Sequence, residues 1–511
     1  MSKRKLKVAV KTTPTVFDVE QPAGFGDDLG SDLFGSFYDQ LLGPSTYYDD
    51  KNFSRLDWHN LRNILAEKWW FSEDHMACFF QIRPGVYSKD GNELTANEVA
   101  WGWERAFALR DVGKWVARLA SVQEFENIEI VDKYTVKFNL TAPNPSLPRL
   151  MCQNAPSVYD IEAFKDQLSD EDPWGKNAIA NESFGFGPYI LDQAGSDSIS
   201  IMRHDNYWQG KPEIEHIELI RYDDHQKAID ALISGDVDLM PGVLDKDLSS
   251  ILKHDHLQVN MNAMHAGMFL HLDPEFTPLN DVKVRYALAH AMPIDTIITE
   301  IYNNQADRWN SFVKIESPGY DHNTWPFEYD PEKAQKLLLE SSSPDGFECD
   351  FYVFPGDGFA EAANFIVDTL SKLGIKLNIL AGDDVTDRNK QMRENGHVAP
   401  IMMRGSTDGR GMRVADPMYA LYHDFGPGRM RLFPFRYHNE EFFDALGQLP
   451  KVGHGESWLK QVSKLQLLLN QDAVMIPICN QIYKIAHSEN VLGCRQLPDN
   501  RMPFGDMSWN K

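Results

Sequence analysis

The chain has 511 residues, with 50 Lys plus Arg against 75 Asp plus Glu, a formal net charge of -25 at pH 7. A surface this acidic repels phosphate backbones and excludes nucleic acid as a partner. No stretch reaches the roughly 18–20 apolar residues of a membrane span, and the 42% hydrophobic content can fill the cores of about two to four domains.

The opening MSKRKLKVAVKTTPTVF begins basic, as a secretion signal does, but Lys7 and Lys11 interrupt its only apolar run. The expectation is a cytosolic protein or one whose signal has been removed. KLKVAV alternates and predicts a first strand. Leu29, Leu33, Phe34, Phe37, Leu41 and Leu42 recur at helical spacing and predict an amphipathic helix. In CFFQIRPGVYSKDGNELTANEVAWGWERAF, a strand ends at Pro84-Gly85 and a turn falls at Asp90-Gly91. Thr95 then caps a helix with Glu98 three residues on, a capping box. Val99, Trp103 and Phe107 share one face of that helix. Asp90 and Glu98 are read as caps of turns, not as proton-transfer groups.

IEIVDKYTVKFNL predicts a hairpin about Asp132-Lys133, and YILDQAGSDSISIMRHDNYW predicts a second. HQKAIDALISGD predicts a helix ending at Gly235, with a strand in VDLM. VRYALAHAMPIDTIITEIY reads as a helix broken at Pro293. PEKAQKLLLES carries Pro331 in its first turn. FECDFYVF, a helix over AEAANFIVDTLSKL, Gly374 and IKLNIL form a β-α-β unit with parallel strands. The fold class is α/β with added hairpins.

Catalytic signatures are missing from the sequence: it holds no GxSxG, HExxH or P-loop. FGFGPY precedes a hairpin rather than a helix, so its glycines serve a turn. Among His254, His256, His265 and His271 no pair shares a helix face, and no metal is expected. The pairs Asp27-Asp28, Asp49-Asp50 and Asp383-Asp384 read as solvated surface. Five cysteines without a CxxC pair indicate neither a zinc ribbon nor a disulfide scaffold; Cys479 and Cys494 are a bridge or, on the other reading, two buried thiols. VAPIMMRGSTDGRGMRVADP is more informative. A buried strand runs into a Gly-rich loop carrying Arg404, Asp408, Arg410, Arg413 and Asp416. Arginines there suit a carboxylate or phosphate ligand, or else form ion pairs within a solvated loop. Trp115, among Arg110, Lys114 and Arg118, lines a cleft or belongs to the core.

Several segments together resemble the family 5 extracellular solute-binding proteins, the peptide-type binding components of ABC importers. RPGVYSKDGNELTANEVAWGWERAF is similar to the family signature, with Lys89 in place of the usual Ser directly before Asp-Gly. LAEKWWFSED, FGFGPYILD (Phe186 for the usual Thr), RHDNYWQGKPEIEHIELI, ALISGDVDLM and LNDVKVRYALAHAMPID match further segments in the family's order, and YDPEKAQKLL and YHNEEFFDAL extend the match. The resemblance implies a two-lobed periplasmic-binding-protein fold of type II-like class with an inserted domain. Lobe I is 1–46, 183–262 and 486–511; domain II is 47–182; lobe III is 263–485. It implies a non-enzymatic, periplasmic monomer without cofactor. The protein captures a peptide or small zwitterionic or anionic solute, opine-like conjugate or oligosaccharide, and presents it to permease transmembrane subunits. Ligand contacts carried over are Arg404, Gly405, Ser406 and Asp408, the last receiving an amino group, with Trp115, Arg110, Phe17 and Asp18. The competing reading is the cytosolic sugar-phosphate-sensing domain of a transcription regulator.

Overall fold

A computed structural model describes residues 4–21, 28–51, 53–109, 111–152, 156–382, 385–395, 398–405, 416–427, 436–452, 455–497 and 501–510. Their contacts form two compact units. The first runs to Ala263 and resumes at Tyr483; the second lies between Met264 and Ile482.

In the first unit, β1 (Leu6–Val10) is buried at alternate positions and beyond, as a central strand requires. The helix Asp28–Phe37 follows. It is shorter than the periodicity predicts, because Leu42 already starts β2 (Leu42–Tyr48), which pairs antiparallel with β3 (Ser54–Asn63). Pro44 two residues on has no amide to extend a helix. Next, β4 (Ala66–Phe71), β5 (Ala77–Ile82), β6 (Ile128–Asp132) and β7 (Thr135–Asn139) make a separate four-stranded sheet in the order β4-β5-β7-β6. The helix Ala96–Leu109 packs Val99, Trp103 and Phe107 inward, as their spacing predicts. Finally β8 (Tyr189–Ala194), β9 (Ser198–Arg203), β10 (His216–Arg221) and β11 (Leu239–Pro241) join β1: β10 and β11 flank it in parallel, and β9 and β8 extend the sheet antiparallel. Residues 485–487 pair antiparallel with β11. The helix His225–Ser234 ends at Gly235, whose φ of +80° is the left-handed cap expected of glycine.

The capping box forms with one change. The Thr95 amide donates to Glu98 Oε2 at 2.8 Å, and Thr95 Oγ1 accepts from the amide of Asn97 at 3.2 Å rather than from the third residue. Asp90 is not the cap of its turn. Ser88 Oγ accepts the amides of Asp90 and Asn92 at 3.2 and 3.4 Å and donates to Asp160 at 2.5 Å, while Asp90 pairs with Lys89. Ser88 is 3% exposed, so it can reach the buried Asp160 that the longer, charged Asp90 leaves alone.

In the second unit, the end of β12 (Leu257–Leu272) pairs antiparallel with β16 (Ile401–Gly405). β13 (Asp307–Arg308) pairs with Asn480 and Cys479 of β17 (Met475–Ser488). β14 (Glu348–Val353), the helix Phe359–Ser371 and β15 (Lys376–Ala381) make the expected β-α-β unit, parallel from Glu348–Lys376 to Val353–Ala381. β16 lies parallel on the other side of β14. Pro293 separates the helices Val282–His290 and Ile294–Glu300, and Pro331 opens the helix Pro331–Leu339. Leu270, Leu288, Ile366 and Ile401 meet in one apolar core. Cys78, Cys152, Cys349, Cys479 and Cys494 are all buried free thiols, so of the two readings of Cys479 and Cys494 the thiols hold.

Candidate functional site

The Gly-rich loop after β16 has a well-defined root in the second unit. β16 is driven inward by Ile401, Met402 and Met403, and Arg404 is carried in with them at 6% exposure. A buried guanidinium demands a partner. Asp424 supplies it: Arg404 Nη2 lies 2.5 Å from Asp424 Oδ2 and 2.9 Å from His271 Nε2. Asp424 Oδ1 meets His423 Nδ1 at 2.5 Å. The guanidinium also stacks over Phe269, 5.1 Å from the ring centroid. Beyond the loop, Asp416 Oδ1 accepts the amide of Met418 at 2.8 Å and caps the helix Pro417–Phe425, which carries Tyr419, His423 and Asp424. The loop therefore leaves from a strand and returns to a helix that are ion-paired to each other 20 residues apart.

The electrostatics follow from burial. Burial alone would raise the Asp424 carboxyl, but Arg404 and His423 hold it well below the usual carboxylate range. Burial and then the Arg404 charge push His271 down to about 4. The cluster is thus a neutral His271 beside an Arg–carboxylate pair.

In the first unit, the segment after β1 is held equally firmly. Phe17 is 2% exposed, donates its amide to Ala180 O at 2.9 Å and packs against Phe37 with centroids 6.3 Å apart. Asp18 is fully buried. Its Oδ1 accepts Arg105 Nη1 at 2.9 Å and the Glu20 amide at 3.0 Å. Its Oδ2 accepts Arg105 Nη2 at 2.5 Å and Gln21 Nε2 at 2.8 Å. Arg105 Nε donates to Trp174 O at 2.8 Å. This is a bidentate pair with its remaining hydrogen bonds made, the condition under which a buried ion pair is tolerated.

Of the residues expected to meet a ligand, Arg404 and Gly405 end β16, Phe17 and Asp18 follow β1, and Trp115 is 3% exposed on the helix Asp111–Leu119. Arg110, Ser406 and Asp408 lie outside the described residues, as do Arg410, Arg413, Asp27, Asp383 and Asp384 and the side chain of His265. Asp424, His423 and Arg105 are the partners that sequence reasoning missed. Arg105 stood in view as the basic end of the signature helix, but its partner is 87 residues away and no local spacing reports it. Among the described residues no group of three His, Cys, Asp or Glu is placed to hold a metal. His254 and His256 stack with centroids 5.8 Å apart, and His256 Nε2 contacts Ile233 O at 3.2 Å.

Two buried ion pairs, Asp18–Arg105 and Arg404–Asp424, thus brace an α/β scaffold. Residues 60–430 match the family described as "Bacterial extracellular solute-binding proteins, family 5 Middle", and the chain belongs to that family. Its relatives include Glutathione-binding protein GsiB of Escherichia coli (strain K12), 24% identical over 98% of this chain and 93% of that one. Heme-binding protein A of Haemophilus influenzae is 23% identical over 86% of this chain and 82% of its own length. The fold is that of the solved periplasmic binding protein DppA from Helicobacter pylori in complex with a peptide, with a TM-score of 0.80 at 21% identity, covering 100% of this chain and 98% of that one. The family is one of solute-binding proteins associated with ABC transporters, not of enzymes, and these relatives favour the import reading over the regulator reading. No helix among the described residues is long and apolar enough to cross a membrane.

Proposed function

We propose that the protein is the solute-capturing component of an ABC importer, acting in the periplasm and taking a peptide or a small zwitterionic or anionic conjugate. The observation that carries this reading is the family match over residues 60–430, supported by a likeness to a glutathione-binding protein that extends through 98% of the chain. The relatives named above take glutathione, haem and a peptide. All three ligands bear carboxylates, which suits the arginine-bearing segment after β16.

The domains of this reading are lobe I (1–46, 183–262, 486–511), lobe III (263–485) and domain II (47–182), inserted in lobe I. Closure follows only because the solute contacts the closed form better than the open one. The closed form is what the permease transmembrane subunits receive. Asp408 takes the solute's amino group, flanked by Arg404, Gly405 and Ser406. Arg404, its charge already paired with Asp424, contributes by fixing the root of that loop. Phe17, Asp18 and Trp115, buried as described, support the site from behind rather than by direct contact, and Arg110 adds a contact to the solute.

Calorimetric titration with glutathione and with dipeptides tests this reading. Asp408→Asn is expected to weaken the binding of an amino-bearing solute by about 10- to 100-fold, the loss of a charged hydrogen bond worth about 1.5–3 kcal/mol, with melting of the empty protein unchanged. Unchanged affinity would place the amino-group site elsewhere.

A further inference from the structure

The four-stranded sheet of the first unit ends in β4, which among the described residues pairs with β5 alone. An edge strand turns one row of amides and carbonyls to its neighbour and the other row outward. The Ser72 amide, just past β4, donates to Ala77 O at 2.9 Å. By alternation Trp70 and Lys68 also turn their backbone to β5, and Trp69 turns its own away. Asn63 Nδ2 donates to Glu67 O at 2.9 Å, so the carbonyl two residues before Trp69 faces the same outer side.

Proteins blunt such edges with charged side chains, bulges or proline. β4 keeps these devices in its first half, where the register shifts between Ala66 and Lys68 and where Glu67 and Lys68 carry the charges. Its second half, Trp69-Trp70-Phe71, has none of them and is aromatic and half-buried. The rings occupy both faces of the sheet. On one, Trp69 meets Phe71 edge-on with centroids 6.1 Å apart. On the other, Trp70 stacks on Phe79 at 5.2 Å, with Lys68 Nζ 5.0 Å from the centroid of Trp70. A strand laid along this edge would cover aromatic surface on both faces and hydrogen-bond the Trp69 backbone.

The edge is complementary to itself. Opposed residues of an antiparallel pair share a face. When β4 meets a second β4 across a two-fold axis normal to the sheet, each residue therefore opposes itself or a residue an even number of positions away. Centring on Lys68 sets lysine against lysine, and centring on Glu67 sets carboxylate against carboxylate; both repel. Centring on Trp69 sets Trp69 against Trp69 and Lys68 against Trp70 of the other copy, an aromatic pair flanked by cation–π pairs. Each Trp69 amide then meets the carbonyl of the other.

We propose that β4 is a docking edge for a second copy of this chain, joined antiparallel about a two-fold axis at Trp69. The overlap is short, so the dimer is weak and forms at high concentration. Each chain carries -25, and two copies repel at long range. Salt screens that repulsion and leaves the short-range contact in place, so association strengthens as salt rises.

Sedimentation equilibrium of the full chain at about 0.5 mM, with sodium chloride raised from about 0.02 to about 0.5 M, reads the dimer. A dimer fraction that grows with salt, and an association constant about tenfold lower in Trp69→Lys, supports the proposal. A second arm does not depend on that variant folding. The five native cysteines are buried free thiols, so one new surface cysteine reports alone. Opposed positions about 5.5 Å apart between Cα atoms are within disulfide reach. Under mild oxidation Trp69→Cys is expected to crosslink about tenfold faster than Ile130→Cys, whose position is 46% exposed on the opposite edge strand, β6. Monomer alone at every salt concentration, dimer that Trp69→Lys leaves unchanged, or crosslinking no faster in Trp69→Cys than in Ile130→Cys, overturns it.

Discussion

His271 shows how much of this molecule's behaviour is set one side chain at a time. It is 1% exposed, beside the Arg404–Asp424 pair, and its pKa falls from the usual 6.5 to about 4. In the unfolded chain the imidazole protonates near 6.5; in the folded one it does not until about 4. Between those values the unfolded state binds more protons, so stability declines as pH falls. From pH 7 to pH 5 the loss attributable to this one group is about 2 kcal/mol. Asp424, depressed by the same arginine, adds a loss in the same direction at still lower pH. Asp39 works the opposite way: its carboxyl, raised from 3.8 to about 6, takes up a proton in the folded state first and gains stability over that interval. The clean reading is therefore a difference between variants. His271→Gln, which cannot titrate, is expected to lose about 2 kcal/mol less than wild type between pH 7 and pH 5 in urea denaturation. Parallel pH profiles for the two proteins would mean that His271 is not buried neutral.

At the level of elements, the glycines of FGFGPY matter because they let backbone approach backbone. A Cβ on Gly187 would lie 2.4 Å from Ser36 O and 2.7 Å from Phe37 O, at the end of the helix Asp28–Phe37. The Gly187 amide caps that end by donating to Phe37 O at 2.9 Å. Gly187→Ala is expected to cost about 1–3 kcal/mol, since neither backbone can yield without losing that bond. A Cβ on Gly447, in the helix Glu440–Gln448, would meet nothing within 4 Å, and Gly447→Ala should stabilise by about 1 kcal/mol. Chemical denaturation of both variants checks the pair; equal effects would remove close approach as the reason for Gly187. These turn glycines were legible in the sequence as punctuation, and so were the capping box at Thr95 and Glu98, the break at Pro293 and the β-α-β unit about Gly374. Each is written within a few residues by a period of 2 or 3.6 or by a breaker. What local pattern could not supply was who pairs with whom. Asp18 meets Arg105 across 87 residues, and Arg404 meets Asp424 across a loop. The sequence displayed all four charges, but only the folded chain brings them together. The Ser88–Asp160 bond, 72 residues long in sequence, escaped notice for the same reason, and Asp90 received the role that Ser88 plays.

At the scale of the whole molecule, the two units carry their own cores, one centred on β1 and β10 and the other on β14 and β16. Buried charges within them meet in ion pairs and helix caps, as at Asp18–Arg105, Arg404–Asp424 and Asp416. Membership of the solute-binding family gives that arrangement its purpose: a rigid scaffold recovers binding energy that a pliant one would lose in ordering itself around a guest. On the function proposed above, the solute is held by contacts that break on release and leaves unaltered. Native mass spectrometry, with glutathione and a dipeptide mixture added to protein first stripped by unfolding and refolding, addresses this most directly. The result expected is one solute molecule per chain, released on denaturation at its original mass. A chain that takes up no solute from these mixtures, or that returns one changed in mass, would contradict it.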